Sequence, residues 1–339
     1  MAGAMKGRIV CFGEMLLRLS SPAGQLLLQT PQLDTCIGGA EANVAVSLAR
    51  FGQPAAMAST LPDNALGWAA RDQLRMHGVA VDGLRFEPGR MGLYFLTPGA
   101  VMRPSEIVYD RAGSAFALAD PAAYDWAALL DGAAWLHVSG VSPAVGEQAA
   151  QAVLAAMTAA RACGVQVSYD GNYRASLWAA RGSDGAGVLR TLLAQADLAF
   201  AGPRDIALLL GQPGLAQQER TEEAIAACFA AFPQLQRLAA TQRAQDSVDQ
   251  HTLSATLHTR QGALQAGSYT MHGIVDRIGG GDAFAAGMLH GLHSGWSDSE
   301  VLEFALAAAV AKHSIAGDFN LVSVAQVEAV RGGRLDVQR

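Results

Sequence analysis

The sequence has no run near the roughly 20 uninterrupted apolar residues that a membrane-spanning helix needs, although 51% of its 339 residues are hydrophobic. Met1 to Lys6 is too short and too weakly apolar for a secretory signal. A soluble, cytoplasmic protein is expected. Positive charge is scarce: 24 Lys and Arg against 30 Asp and Glu give a formal net charge of -6. A broad basic surface for nucleic acid is therefore excluded, and an anionic ligand needs a locally basic pocket. Only four cysteines occur, at positions 11, 36, 163 and 228. Their spacing fits no metal-ligand pattern and reads as reduced, buried thiols. There is no internal repeat and no low-complexity linker. Neither a Gly-x-x-x-x-Gly-Lys-Ser/Thr phosphate loop nor a dinucleotide fingerprint after the first strand is present, so the two commonest nucleotide-binding readings fall away.

What is present is a glycine-rich run near the end, Asp276 to Gly287, reading Asp-Arg-Ile-Gly-Gly-Gly-Asp-Ala-Phe-Ala-Ala-Gly. The residues from Asp282 to Leu289 read as opening turns of a helix, which makes Gly279, Gly280 and Gly281 the loop at its N-terminus. Unpaired N–H groups at such an end carry about half a positive charge and attract phosphate oxygens. A carboxylate there would repel that anion, unless Asp282 takes a proton from a reacting group. A helix cap is the plainer alternative for Asp282 taken alone.

Along the chain, short apolar runs alternate with alanine-rich helical segments. Arg8 to Phe12 reads as a buried first strand, and glycines at 38 and 39 lead into a helix that Gly52 ends. Strands at Pro54 to Thr60, Trp135 to Ser139, Val165 to Tyr169, Leu198 to Ala201 and Leu235 to Thr241 alternate with helices at Ala65 to His77, Gly146 to Cys163, Gly187 to Gln195 and Glu222 to Ala231. Further β-like stretches and two closing helices follow. The expected fold is a predominantly parallel α/β sheet flanked by helices, with ligands outside the carboxyl ends of the strands. Two β excursions, Leu16 to Leu33 and Leu93 to Tyr109, break the alternation and would meet as a small β lid. Residues 1–15, 34–90 and 114–339 then form the α/β body, and 16–33 and 91–113 the lid. Lids exclude water from phosphoryl transfer. An open lid edge with an apolar face predicts a homodimer through the lid.

Gly38-Gly39-x-x-x-Asn43 near the start and Asp276 to Gly287 near the end resemble the two signatures of the ribokinase-like, or PfkB, carbohydrate kinases, over nearly the whole chain. Within that superfamily the sequence is most similar to 2-keto-3-deoxygluconate kinases. Gly92 to Leu96, Arg103-Pro104-Ser105, Tyr109-Asp110-Arg111, Asp170-x-Asn172-Tyr173-Arg174 and Lys312 to Asn320 carry that similarity. The resemblance implies ATP as co-substrate, magnesium bridging its phosphates, and transfer to the C6 hydroxyl of 2-keto-3-deoxy-D-gluconate in sugar-acid catabolism of Entner-Doudoroff type. It implies Asp282 as the base and the N–H groups of Gly279, Gly280 and Gly281 as stabilisers of the transferring phosphoryl group. Gly38, Gly39 and Asn43 would approach the sugar. Arg111 and Arg174 would bind its carboxylate, since a carboxylate prefers forked guanidinium donors. Tyr94 and Tyr109 would offer hydroxyls and ring faces, with lid packing as the alternative.

Three departures stand out. Arg277 replaces a small or β-branched residue and either adds a phosphate contact or is a surface charge. The magnesium-organising Asn-x-x-Glu falls on Gly202-Pro203-Arg204-Asp205, leaving only Asp205 as an indirect metal residue. The Thr-Gly loop that meets nucleotide phosphates becomes Thr241-Gln242-Arg243, with Thr241 and Arg243 as the nucleotide-binding candidates. A neutral-sugar kinase, a nucleoside kinase and a non-catalytic sensor are the rival readings.

Overall fold

The computed structural model describes residues 7–334; the reading of Met1 to Lys6 lies outside them. Among the described residues, strands run in chain order β1 (Arg8–Phe12), β2 (Leu16–Ser20), β3 (Asp34–Gly38), β4 (Ala55–Pro62), β5 (Ala80–Glu87), β6 (Gly92–Thr97), β7 (Glu106–Asp110), β8 (Ala133–Ser139), β9 (Gln166–Asp170), β10 (Leu198–Phe200), β11 (Arg237–Gln245), β12 (Gln250–Thr259) and β13 (Gly262–His272). They form a nine-stranded sheet, ordered β13-β12-β11-β10-β9-β8-β1-β4-β5, and a four-stranded sheet, ordered β3-β2-β6-β7. From β5 to β11 every pairing in the large sheet is parallel, and only β12 and β13 run antiparallel.

The large sheet is covered on both faces, and β1 shows why. Alternate residues of a strand point to opposite sides. Ile9 and Cys11 enter one apolar core, and Val10 and Phe12 enter the other. Phe12 is fully buried, with the Trp126 ring edge-on to it at 4.7 Å; such burial contributes roughly 1.5–3 kcal/mol per side chain. One face carries the helices Gly280–His293 and Asp298–Lys312. The second of these is fixed at its start by a reciprocal Ser297 and Glu300 capping box.

The small sheet is the lid, but its membership differs from expectation. Asp34–Gly38, read with the body, pairs antiparallel with β2, Leu16 opposite Gly38 and Ser20 opposite Asp34. The hairpin between them is long and polar, so the return strand carries no local pattern of its own. Strand β11 also continues beyond Thr241 to Gln245, so Thr241-Gln242-Arg243 is strand and not loop. Antiparallel partners on β12, Ala255, Ser254 and Leu253, satisfy its backbone, and such pairing overrides weak β-propensity. Ala175–Ala180 forms a helix where none was assigned, and three helices follow the glycine loop instead of two, the last being Val324–Arg331.

Candidate active site

The glycine loop is folded by the carboxylate that precedes it. Asp276 accepts from the Ile278 N–H (3.0 Å), the Gly317 N–H (3.1 Å) and Arg18 Nη2 (2.7 Å). The chain then turns at Gly279 with φ 83°, a left-handed conformation that disfavours a side chain. A Cβ there would also run into the Asp318 carbonyl. The helix begins at Gly280, and its first-turn N–H groups have no intrahelical partners. Gly281 is exposed, and no atom lies within 4 Å of where its Cβ would stand. The loop is thus tightly packed behind and open in front.

In front is a cavity of about 330 Å³ under the lid. Of the residues proposed for sugar binding and catalysis, Gly39, Asn43, Tyr94, Tyr109, Arg111, Arg174, Gly279, Gly280, Gly281 and Asp282 all line it. Gly38 does not: its missing side chain makes room for the Asp318 carboxylate. Its role is steric, one layer behind the cavity. An adjoining cleft of about 340 Å³ shares Asp170, Asn172, Arg174 and Gly281 with the first and is lined further by Thr241 and Asp205. Arg243 borders neither.

Asn43 Nδ2 donates to Asp282 Oδ2 at 2.6 Å, across two helices 239 residues apart in sequence. Asn43 Oδ1 is buried without a partner, which leaves one acceptor free for a ligand hydroxyl. Burial raises Asp282 to about 7, against the pull of the Asn43 hydrogen bond; the charges of Asp170 and Asp318 add to the rise and Arg174 opposes it. Asp170 is also raised to about 7 by burial, opposed first by Arg174. A carboxyl poised there is suited to accept a proton near neutrality.

Two expected substrate contacts change character. Arg111 Nε is bonded to Glu14 Oε2 at 2.6 Å, with both side chains almost wholly buried, and Ser114 donates to the other Glu14 oxygen. Its charge is therefore balanced from within, and the expectation of two free cations narrows to Arg174. Arg174 is exposed, with Nε 3.3 Å from the Tyr109 hydroxyl. The Tyr94 hydroxyl donates to Asp318 Oδ2 at 2.7 Å, so Tyr94 offers the cavity chiefly its ring. Asp318 in turn meets Arg18 Nη1 at 2.9 Å. Arg18 thereby clamps Asp276 and Asp318 together behind the loop. Sequence reasoning quoted Asp170, Asn172 and Asp318 within its motifs but assigned them no role, because their neighbours come from distant strands. Asn172 has a positive φ of 37°, unusual for a non-glycine residue and common where function holds strain.

The pfkB family carbohydrate kinase profile matches residues 6–319. This chain belongs to the pfkB family of carbohydrate kinases. The 2-dehydro-3-deoxygalactonokinase of Haloferax volcanii is 31% identical over 345 residues, 99% of this chain and 100% of that one. The crystal structure of a 2-dehydro-3-deoxygluconokinase from Thermotoga maritima aligns with a TM-score of 0.90 at 36% identity, over 96% of this chain and 100% of that one. A fructokinase from Xylella fastidiosa with bound ATP shares the fold at 23% identity and TM-score 0.80, over 97% and 99%.

The residues of this kinase fit a resident magnesium ion poorly. Asp205, the remnant of the metal-organising element, uses Oδ2 to accept from the Gly202 N–H at 2.8 Å. No group of three or more His, Cys, Asp or Glu side chains among the described residues is arranged to hold a metal. No helix there is long and apolar enough to cross a membrane.

Proposed function

We propose that this carbohydrate kinase transfers the γ-phosphoryl group of ATP to the C6 hydroxyl of 2-keto-3-deoxy-D-gluconate, in cytoplasmic sugar-acid breakdown of Entner-Doudoroff type. The observation that carries the reading is the arrangement of one cavity. Asp282 lies at its glycine-loop end beside open N–H groups, and Arg174, Tyr109 and Arg111 line the same space. Asp282 takes the proton of the attacking hydroxyl, while Asn43 Nδ2 holds the carboxylate and Asn43 Oδ1 accepts from the sugar. The N–H groups of Gly280 and Gly281 face the charge that grows on the transferring phosphoryl oxygens. Arg174 binds the sugar carboxylate as a forked donor, and Arg111, held through Nε by Glu14, presents its remaining N–H groups. The names of two full-length relatives, both kinases of 2-dehydro-3-deoxy sugar acids, support this substrate class.

The test is ATP-dependent phosphorylation of 2-keto-3-deoxygluconate and its galactonate epimer, beside gluconate, fructose, ribose and adenosine. Turnover confined to the keto-deoxy acids, with Asp282→Asn slower by about 10²–10⁴-fold, is the expected result. Arg174→Met should raise KM for the acid at least about tenfold with little change in KM for ATP. Turnover of a neutral sugar, unaffected by Arg174→Met, would overturn the substrate. The lid bears the exposed apolar side chains Val101, Met102 and Val108, and the same reading includes a homodimer formed through it. Light scattering on Val108→Asp should give a monomer; an unchanged mass, or a monomeric wild type, would refute that interface.

A further inference from the structure

Two arginines approach the start of the Gly280–His293 helix without a carboxylate of their own. Residues two apart on a strand share a face, so Arg243 follows Ala239 and Thr241 on one side of β11. Ala239 and Thr241 line the cleft that Gly281 and Phe284 close. Arg277 stands two residues before Gly279 and lines the sugar cavity. Neither arginine joins an ion pair among the described residues. The side chain of Arg277 donates only to a neutral lid hydroxyl, Ser105 Oγ at 3.1 Å. Its sequence neighbour Asp276 is already held by Arg18 and two backbone N–H groups.

The surroundings deepen the positive field. Burial and the nearby Arg243 both push the Arg277 guanidinium down. His313 packs under Gly280, whose Cβ would lie 2.8 Å from its ring, and feels both arginines. His251 is fully buried with neither ring nitrogen partnered, in the same field. A chain of net charge -6 has collected cations beside open helix N–H groups. On the other side of the cleft, the element that would organise a divalent ion is reduced to an Asp205 that caps its own helix.

We infer that Arg277 and Arg243 form a guanidinium clamp for the polyphosphate of the nucleotide, supplying charge neutralisation that this chain's metal-organising element does not. The inference rests on the kinase reading above and adds residues to it. Guanidinium forks bind phosphate oxygens in pairs, and a lysine in their place is only a point charge. Arg277 also joins the phosphate end of the site to the lid through Ser105.

The test is equilibrium binding by calorimetry of ADP and of adenosine, each with EDTA and with magnesium, to the wild type, Arg243→Met, Arg277→Met and Arg277→Lys. Thermal melts confirm that each variant is folded. The wild type should bind ADP in EDTA, within about tenfold of its affinity with magnesium. Each methionine variant should weaken metal-free ADP binding by about tenfold or more and leave adenosine unchanged, while Arg277→Lys falls between. Wild-type ADP binding that requires magnesium, with the methionine variants unaffected, would overturn the clamp while keeping the kinase. Equal weakening of ADP and adenosine would make the arginines structural and also overturn it. A wild type that binds ADP under neither condition would remove the kinase reading itself.

Discussion

The acid limb of the pH–rate profile should move in opposite directions when the two neighbours of Asp282 are changed. As a base, Asp282 works only when ionised, so kcat/KM should rise with pH through about 7, the value to which burial lifts it. Asn43 stabilises the ionised form with a 2.6 Å hydrogen bond. A hydrogen bond to a charged group is worth about 1.5–3 kcal/mol, and one pH unit corresponds to about 1.4 kcal/mol. Asn43→Ala should therefore shift the limb upward by about one pH unit or more. At pH 6 the variant would run about tenfold further below the wild type than it does at pH 9. Asp170, itself lifted to about 7, opposes ionisation of Asp282 by repulsion. Asp170→Asn should move the limb down. The assay is initial rate at subsaturating sugar acid between pH 5 and 9.5, and the position of the limb, not its height, is the readout. Because the two carboxyls titrate together, the wild-type limb belongs to the pair. A limb unmoved by Asn43→Ala, or moved upward by Asp170→Asn, would refute Asp282 as the ionising base.

Other substitutions separate packing from chemistry. The folded-state pKa of Asp282 is raised above its ordinary 3.8, so its native ionisation opposes folding, and that opposition grows as pH rises from about 4 through 7. Asp282→Asn should consequently raise Tm more at pH 8 than at pH 5; a gain larger at pH 5 would show that the carboxyl is not raised. Gly279→Ala should lose at least roughly 1–2 kcal/mol in urea unfolding, from its left-handed φ alone. Gly281→Ala has open space for its methyl and should leave stability unchanged or slightly higher, yet slow turnover by blocking phosphate approach; normal turnover would argue that no phosphate comes there. Arg18→Met leaves Asp276 and Asp318 facing each other unpaired and should cost about 3–5 kcal/mol. A loss under 1 kcal/mol by denaturant titration would show that the clamp does not hold the loop.

The alternation of short β-rich runs and alanine-rich helices determined the parallel body by itself, because periodicity and capping are written locally. The helix that begins at Gly280 and the lid strands Leu16–Ser20 and Gly92–Thr97 were legible for that reason. The two glycine signatures also marked the ends of the site. What the sequence could not reveal were pairings between residues far apart along the chain. Arg111 reads as a free cation until the fold brings it to Glu14, 97 residues earlier. Tyr94 reads as a substrate hydroxyl until Asp318, 224 residues later, accepts its proton. Asp34–Gly38 reads as body until its pairing with Leu16–Ser20 puts it in the lid. Charge and donor capacity are properties of single residues, but whether they remain available to a ligand depends on what stands beside them. Tertiary structure alone decided that Arg174 is the exposed cation of the sugar end, that Asn43 grips Asp282, and that Arg277 and Arg243 share one field at the phosphate end.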